Sequence, residues 1–311
     1  MDPIAFTIGG IPVYWYGILI VTATMMGGWV ASIEAKRRGL NPDEVWNGLT
    51  VALILGIIGA RLYHVFSSPE GGSVGWSYYR QNPLAIFKIW EGGLGIYGAI
   101  IGGVLGVVLY SWLRKFDPLM WLDIGAPGLA IGQVIGRWGN FVNQELYGPP
   151  TDLPWGITIE NRDMAPYNDL TRYPPTTRFH PLFLYESLWS LLGFALLMWI
   201  GRRFKDRLHS GEILMLYLIW YPMGRFFIEF LRPDAWMLGG LAAAQVFALA
   251  LIALAILGLV YLHRRPLPSP EIALQEADAT ADEVSPSNSS KDNEPEQETT
   301  ETATDADHLT D

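Results

Sequence analysis

No cysteine occurs anywhere in the 311 residues. A cysteine nucleophile, a thiolate metal site and a disulfide framework are therefore excluded, while the compartment stays open, because a chain without thiols is indifferent to redox poise. Basic residues are nearly missing from one stretch. Residues 267–311 hold 13 acids and a single base, Lys291, for a charge of −12. Residues 1–266 carry 20 bases and 18 acids, so the net −10 and the pI near 5.0 describe the end of the chain and not its body. With no large basic excess in that body, and its bases in small separated clusters, no nucleic-acid partner is expected. H-E-x-x-H, G-x-S-x-G and paired intramembrane aspartates are also missing, which argues against metal catalysis, lipase-type acyl transfer and intramembrane proteolysis; no cofactor or metal is expected. Ten-residue alternating strands of the kind that build a membrane barrel are not seen.

What is present is apolar length. Seven segments meet or approach the roughly 20 apolar residues that cross a bilayer: 14–33, 46–66, 94–113, 121–140, 183–201, 211–231 and 237–262. Backbone groups in lipid must be satisfied within the segment, so these read as helices, giving an all-α polytopic membrane protein of about seven spans. Residues 1–14 lack the basic start and the small-residue cleavage site of a signal peptide, so the first span is expected to stay in place. Eleven bases (Lys36, Arg37, Arg38, Arg114, Lys115, Arg202, Arg203, Lys205, Arg207, Arg264, Arg265) fall in one set of loops and six (Arg80, Lys88, Arg162, Arg172, Arg178, Arg232) in the other. The positive-inside rule then places the N-terminus outside and the C-terminus in the cytoplasm. Two outer segments are long, about 67–90 and 141–180. The chain divides into a membrane domain, 1–266, and an acidic tail, 267–311, whose composition cannot bury a core and is expected to be disordered.

Charges inside spans are expensive, and those of this chain are grouped. Arg61 ends the second span. Glu91 and Tyr97 open the third. Arg137, Asn140, Asn143 and Glu145 close the fourth. His180, Tyr185 and Glu186 open the fifth, and Tyr221, Arg225, Glu229 and Arg232 occupy the outer half of the sixth, at spacings that put all four on one helix face. The assigned topology brings every group to the outer side, which points to one polar cavity at that depth. Arginine stays charged in a dry site and binds phosphate through two parallel hydrogen bonds, so the expected ligand is a phospholipid headgroup. Taken singly, each residue has a plainer reading: Arg61 snorkelling to headgroups, an Arg–Glu pair that only locks helices, His180 capping a helix, and Tyr14 and Trp15 in an interfacial belt with Tyr16 beside them. Glycines at 102, 103 and 106 read as helix packing, whereas those at 92, 93, 95 and 98 bracket Glu91 and Tyr97 and read as part of the cavity.

Residues 136–148, Gly-Arg-Trp-Gly-Asn-Phe-Val-Asn-Gln-Glu-Leu-Tyr-Gly, resemble the signature G-R-x-G-N-F-x-N-x-E-x-x-G of bacterial prolipoprotein diacylglyceryl transferases at every fixed position. Collinear with it, Val13 to Gly17, Gly59 to Arg61, His180 to Glu186 and Tyr221 onward resemble further motifs of that family, and the resemblance covers roughly residues 5–262. It implies an enzyme of the bacterial inner membrane, with its site on the periplasmic side. That enzyme moves the diacylglyceryl group of phosphatidylglycerol onto the lipobox cysteine thiol of a prolipoprotein signal peptide and releases glycerol phosphate. It also implies that Arg137 binds the phosphate and Arg225 stabilises its charge, with Glu229 orienting Arg225. Asn140, Asn143 and Glu145 shape the headgroup pocket, while Tyr16, Arg61, His180, Tyr221 and Arg232 bind substrate in lesser roles. One position departs: many members have H-G-G-L where this chain has Tyr97-Gly98-Ala99-Ile100. A neutral phenol is a poor base near neutral pH. Tyr97 as an ionised base, Tyr97 as a hydrogen-bond donor, Glu145, His180 and water all stay open as acceptors or bystanders of the thiol proton. A lipid transporter or scaffold, and a transferase that moves the headgroup instead, are the competing functions.

Overall fold

The computed structural model describes residues 2–67, 75–162, 164–233 and 235–265. The acidic tail expected to be disordered lies outside them. The chain opens with a hairpin, β1 (Ile4–Ile8) and β2 (Ile11–Tyr14), turned by Gly9 and Gly10 at φ 57° and 86°. Positive φ at both central residues is what a two-residue hairpin turn needs, and glycine adopts it without steric cost. Helices α1 (Trp15–Arg37) and α2 (Asp43–Phe66) follow, then the short α3 (Trp76–Gln81) and two 3-10 turns (Pro83–Phe87 and Ile89–Glu91). After α4 (Ile96–Leu113) and α5 (Pro118–Val142), a long connection carries the two-residue strands β3 (Ile157–Thr158) and β4 (Arg178–Phe179). Next come α6 (Leu182–Arg203), α7 (Glu212–Glu229), the ribbon β5 (Met237–Leu238) with β6 (Leu241–Ala242), and α8 (Ala243–His263).

Six helices, α1, α2, α4, α5, α6 and α8, are long and apolar enough to cross a membrane. The sixth expected span is also a helix, α7, but its 18 residues include Glu212, Arg225 and Glu229, which set it apart by composition. The last span begins later than hydropathy alone suggests. Gly239, at φ 69°, turns the chain so that Met237–Leu238 pair with Leu241–Ala242, and α8 starts only at Ala243. The architecture is thus mostly helical, with three small ribbons outside the spans.

The distribution of side chains is that of a multi-pass membrane protein. Large apolar residues face outward, among them Val21, Trp29, Ile100, Trp112, Phe247 and Leu257, while small residues and charges are buried: Ala35, Ala126, Ala255, Glu34, Asp123, Glu186, Glu212 and Glu229. Lipid tails are as apolar as leucine, so helices are held together by close backbone approach and by polar contacts instead. Both occur here. On the α2–α4 seam, a Cβ on Gly98 would lie 2.1 Å from the Gly59 carbonyl oxygen, and one on Gly102 would lie 2.1 Å from that of Leu55. On the α1–α5 seam, Gly27 and Gly128 meet backbone to backbone. Across α5 and α7, the buried Asp123 carboxylate accepts the N–H groups of Gly211 and Leu214 at 2.8 and 2.7 Å, capping the otherwise unsatisfied start of α7.

The connection from α5 to α6 has an aromatic core of its own, Tyr147, Tyr167 and Phe179 around Ile159. Arg162 closes it: its guanidinium stands 4.9 Å over the Phe179 ring and donates to the carbonyls of Ile159, Tyr173, Pro174 and Pro175. In the same connection the Asp169 carboxyl is held below its usual range by the Thr171 hydroxyl and by two backbone N–H groups.

Candidate active site

Three helix ends meet at one level of the bundle: the C-terminal end of α5, the N-terminal end of α6 and the C-terminal end of α7. Each supplies a charge. Arg137 of α5 meets Glu186 of α6, Nη1 to Oε2, at 2.6 Å; Arg225 of α7 meets the other oxygen of the same carboxylate at 3.0 Å. Arg225 also pairs with Glu229 one turn along α7 at 2.7 Å. Glu186 and Glu229 are buried, whereas the two arginine side chains keep about a fifth of their surface open. Glu186 is thus a bridge with two guanidinium groups on one carboxylate. The cleft they line is completed by Trp189, Ser190, Tyr221, Gly224 and Ile228.

The α6–α7 contact that sets this geometry is a reciprocal clasp. Trp189 and Trp220 stack at 4.3 Å, and each indole N–H donates to the other's carbonyl at 3.0 Å. The indoles fit because glycine lies beneath them: a Cβ on Gly224 would be 2.2 Å from Trp189, and one on Gly193 would be 2.4 Å from Trp220. Ser187 adds a hydrogen bond to the Val134 carbonyl of α5 at 3.0 Å. Neither tryptophan nor glycine carries a sequence signal for this arrangement, because their partners are more than twenty residues away.

The signature segment continues the site. Arg137 and Asn140 are three apart on α5 and share a face. Beyond the helix end, Glu145 Oε1 accepts from Asn140 Nδ2 at 2.8 Å and from Asn143 Nδ2 at 3.3 Å, so the two amides and the carboxylate form one group. Gln144 and Leu146 sit at φ 56° on either side of Glu145. The Gln144 side chain holds this tight bend by accepting the N–H groups of Glu160 and Asn161 at 2.7 and 3.1 Å. Sequence reasoning passed over Gln144, which sits at a variable position of the signature. The signature glycines have separate reasons. Gly139 leaves room for the Tyr16 ring, 2.6 Å from where a Cβ would be, and Gly148 fits between His180 and the Leu231 carbonyl. Tyr16 and Asn143 line an open pocket of about 560 Å³ with Tyr14, Gly17, Ile18, Val13 and Pro3.

The other expected site residues fall in different places. Arg61 is buried, and all five of its N–H groups are engaged: Nε with Ile86 O, Nη1 with Gly92 O and Gly93 O, and Nη2 with Ala85 O and Lys88 O, at 2.6–3.4 Å. The donors expected to meet substrate are thus turned to backbone carbonyls. Arg61 binds the loop before α4, and the Tyr79 ring stands 5.2 Å from its guanidinium. The expected cavity role of the glycines at 92–98 changes with it. Gly93 and Gly95 lie against His64 and Tyr63, and Gly98 against Gly59, so this stretch packs onto the end of α2. Tyr97 is 63 % exposed with its ring 5.7 Å from that of Tyr63, and among the described residues no hydrogen bond or ion pair joins it to the arginine cleft. His180 Nδ1 lies 3.0 Å from the Tyr185 hydroxyl, which accepts from the Trp155 indole at 2.9 Å. Arg232 follows α7, its N–H donating to the Glu229 carbonyl at 3.1 Å. Loss of the Arg61 fork should cost about 3 kcal/mol, since a hydrogen-bonded charge and several carbonyl partners are lost together. Arg61→Gln should accordingly speed proteolytic cleavage within 83–93 well before the bundle unfolds; cleavage no faster than in the parent would show that the loop does not depend on this residue.

Two half-buried guanidinium groups on a shared carboxylate, beside an amide–carboxylate group, offer the charge and forked donors that suit a phosphate ester and charge that grows on it. The family model for prolipoprotein diacylglyceryl transferase matches residues 3–261. The chain is 42% identical over 299 residues to a phosphatidylglycerol–prolipoprotein diacylglyceryl transferase of Chloroflexus aggregans, covering 90% of this chain and 96% of the relative. A protein of the same name from Nostoc sp. is 43% identical over 274 residues (87% and 92% covered), and one from Streptococcus agalactiae is 37% identical over 265 residues (85% and 97% covered). With its motif residues gathered at the ends of three helices and the match running nearly from end to end of the described chain, this protein belongs to the prolipoprotein diacylglyceryl transferase family.

Proposed function

We propose that the protein transfers the diacylglyceryl group of phosphatidylglycerol to the lipobox cysteine thiol of a prolipoprotein in the bacterial plasma membrane, with the reaction at the outer leaflet. The carrying observation is the Arg137–Glu186–Arg225 bridge, whose Arg137 stands near the start of the family signature. The thiolate sulfur attacks the glyceryl carbon bonded to the phosphate, a carbon–sulfur bond forms, and the carbon–oxygen bond breaks with its electron pair staying on oxygen. The phosphodiester, with one negative charge, leaves as glycerol phosphate, a monoester whose charge is greater. Positive groups aimed at that oxygen therefore bind the transition state more strongly than the substrate, the condition for raising the rate. Arg137 holds the phosphate and Arg225 meets the growing charge. Glu186 keeps both forks pointed into the cleft and Glu229 orients Arg225. Asn140, Asn143 and Glu145 contact the glycerol headgroup, and Tyr16, His180, Tyr221 and Arg232 line the approach.

In this reading α7 also crosses the membrane and brings the spans to seven. Its charges are tolerable in the membrane because Arg225 is paired with Glu186 and Glu229 and because Glu212 is buried against protein. The N-terminus is then outside and the C-terminus cytoplasmic, as the loop bases suggest. The full chain in detergent, given labelled phosphatidylglycerol and a lipobox peptide, should yield a peptide heavier by one diacylglyceryl unit together with glycerol phosphate. A lipid acceptor gaining phosphoglycerol, or lipid movement without a peptide product, would refute the proposal in favour of the competing functions.

Tyr97, 63 % exposed, acts as a hydrogen-bond donor toward substrate and not as the base, a role supported by the poor basicity of a neutral phenol near neutral pH. Tyr97→Phe should accordingly keep the shape of the pH–rate profile and lose at most about tenfold in kcat/KM, below the 10²–10⁴ expected of a general base. Loss of the limb that reports thiol deprotonation, with restoration in Tyr97→His, would make Tyr97 the base.

A further inference from the structure

At the end of α7 opposite Arg225 and Glu229, three side chains converge: His209 from the α6–α7 connection, Glu212 from the first turn of α7 and, some fifty residues on, His263 from the last turn of α8. A ligand atom of each lies within 4.8 Å of the others. Glu212 Oε1 is 3.4 Å from His209 Nδ1 and 2.9 Å from His263 Nδ1, while its Oε2 accepts the His209 backbone N–H at 3.2 Å. The carboxylate is almost fully buried, the His209 side chain is 11 % exposed, and His263 is 68 % exposed and forms the open side.

His209 carries the inference. Its Nε2 lies 2.8 Å from the Arg265 carbonyl oxygen, which can only accept, so Nε2 bears a hydrogen. In the neutral ring Nδ1 is then a bare lone pair. That atom is buried and has no hydrogen-bond partner among the described residues. Its neighbour is a carboxylate oxygen, and two acceptors facing each other away from water repel unless a positive charge stands with them. A metal-ligating imidazole usually has its outer N–H held by a carbonyl or carboxylate, as the Arg265 carbonyl holds Nε2 here. The 3.4 and 2.9 Å separations bracket the edge of about 3.3 Å expected between ligands of a tetrahedral ion with bonds of about 2.0–2.1 Å.

We propose that His209, Glu212 and His263 bind one divalent transition metal of the zinc class, with water completing the fourth position on the His263 side. Two imidazole nitrogens and one carboxylate suit such an ion and not magnesium or calcium, which take oxygen ligands. The ion would join the start of α7 to the end of α8, apart from the arginine cleft. No metal-binding spacing is visible in the sequence, because the third ligand comes from a different helix.

The test uses the full chain, purified without a histidine tag in detergent, stripped with a chelator and titrated with Zn²⁺ near neutral pH against a chromophoric competitor. One equivalent should bind with a Kd of about 1 μM or tighter, and the unfolding midpoint should rise on addition of Zn²⁺ and not of Mg²⁺. His263→Ala removes an exposed side chain and should fold like the parent, yet bind at least about tenfold more weakly; His209→Gln should do the same. The proposal fails if no saturable single equivalent binds, or if both variants bind as the parent does. It fails equally if acidification raises stability while Zn²⁺ does not, which would show that a proton on His209 fills the gap.

Discussion

Arg137→Ala should lower kcat/KM for transfer from phosphatidylglycerol to a lipobox peptide by about 10²–10³-fold, the range for removing one donor that stabilises developing charge. The variant should still fold. Glu186 keeps its second partner, Arg225, at 3.0 Å, so no buried carboxylate is stranded. Were both partners lost, a penalty of about 3–5 kcal/mol would be expected. Arg137→Lys separates charge from shape. Lysine keeps the positive charge and loses the planar fork, so it should recover part of the rate and leave a deficit of at least about tenfold. The measurement is product mass against time, with the melting temperature recorded beside it. Near-normal transfer by a folded Arg137→Ala would remove Arg137 from the phosphate role, while the family assignment would stand.

Gly102→Val should prevent assembly of the bundle. Its Cβ would lie 2.1 Å from the Leu55 carbonyl oxygen, an atom of the α2 backbone that no rotamer change can move aside. The helices would have to separate along a seam where Gly98 and Gly59 are equally close. Overpacking of movable side chains already costs about 1–3 kcal/mol, and a backbone clash should exceed that. The adjacent Gly103→Ala is the control, since its Cβ would be 3.9 Å from the nearest neighbour, the Ala52 carbonyl oxygen. Size-exclusion after heating in detergent should show a monodisperse Gly103→Ala and an aggregated or unrecovered Gly102→Val. Recovery of folded Gly102→Val with a parental melting temperature would mean that the α2–α4 seam is looser than described.

Much of this was legible before any coordinates. Hydropathy placed the helices because the bilayer sets a single length scale and because lipid leaves the backbone no hydrogen-bonding alternative. The start of α8 was misjudged since Met237–Leu238 and Leu241–Ala242 are as apolar as the helix that follows, and only the Gly239 turn distinguishes them. Tyr221, Arg225 and Glu229 were readable as one face because four-residue spacing is a local property of a helix. The partner of Arg225 across the interface was not readable in this way. Glu186 is on another helix, and its choice of both Arg137 and Arg225 depends on the Trp189–Trp220 clasp. Arg61 shows a different limit. Its type and depth matched a ligand-binding arginine, yet the loop before α4 folds back and occupies all five donors.

The sequence by itself determined the composition of the bundle, the expensive charges and the signature that identifies the family, since each is a matter of residue type and local spacing. The tertiary structure decided which charges share a carboxylate, which arginine serves a loop instead of a cleft, and which histidines meet at the far end of α7. Those outcomes depend on side chains of different elements brought within 2.6–3.4 Å of one another, on a scaffold of glycine seams and an indole clasp, and no periodicity along the chain encodes such distances.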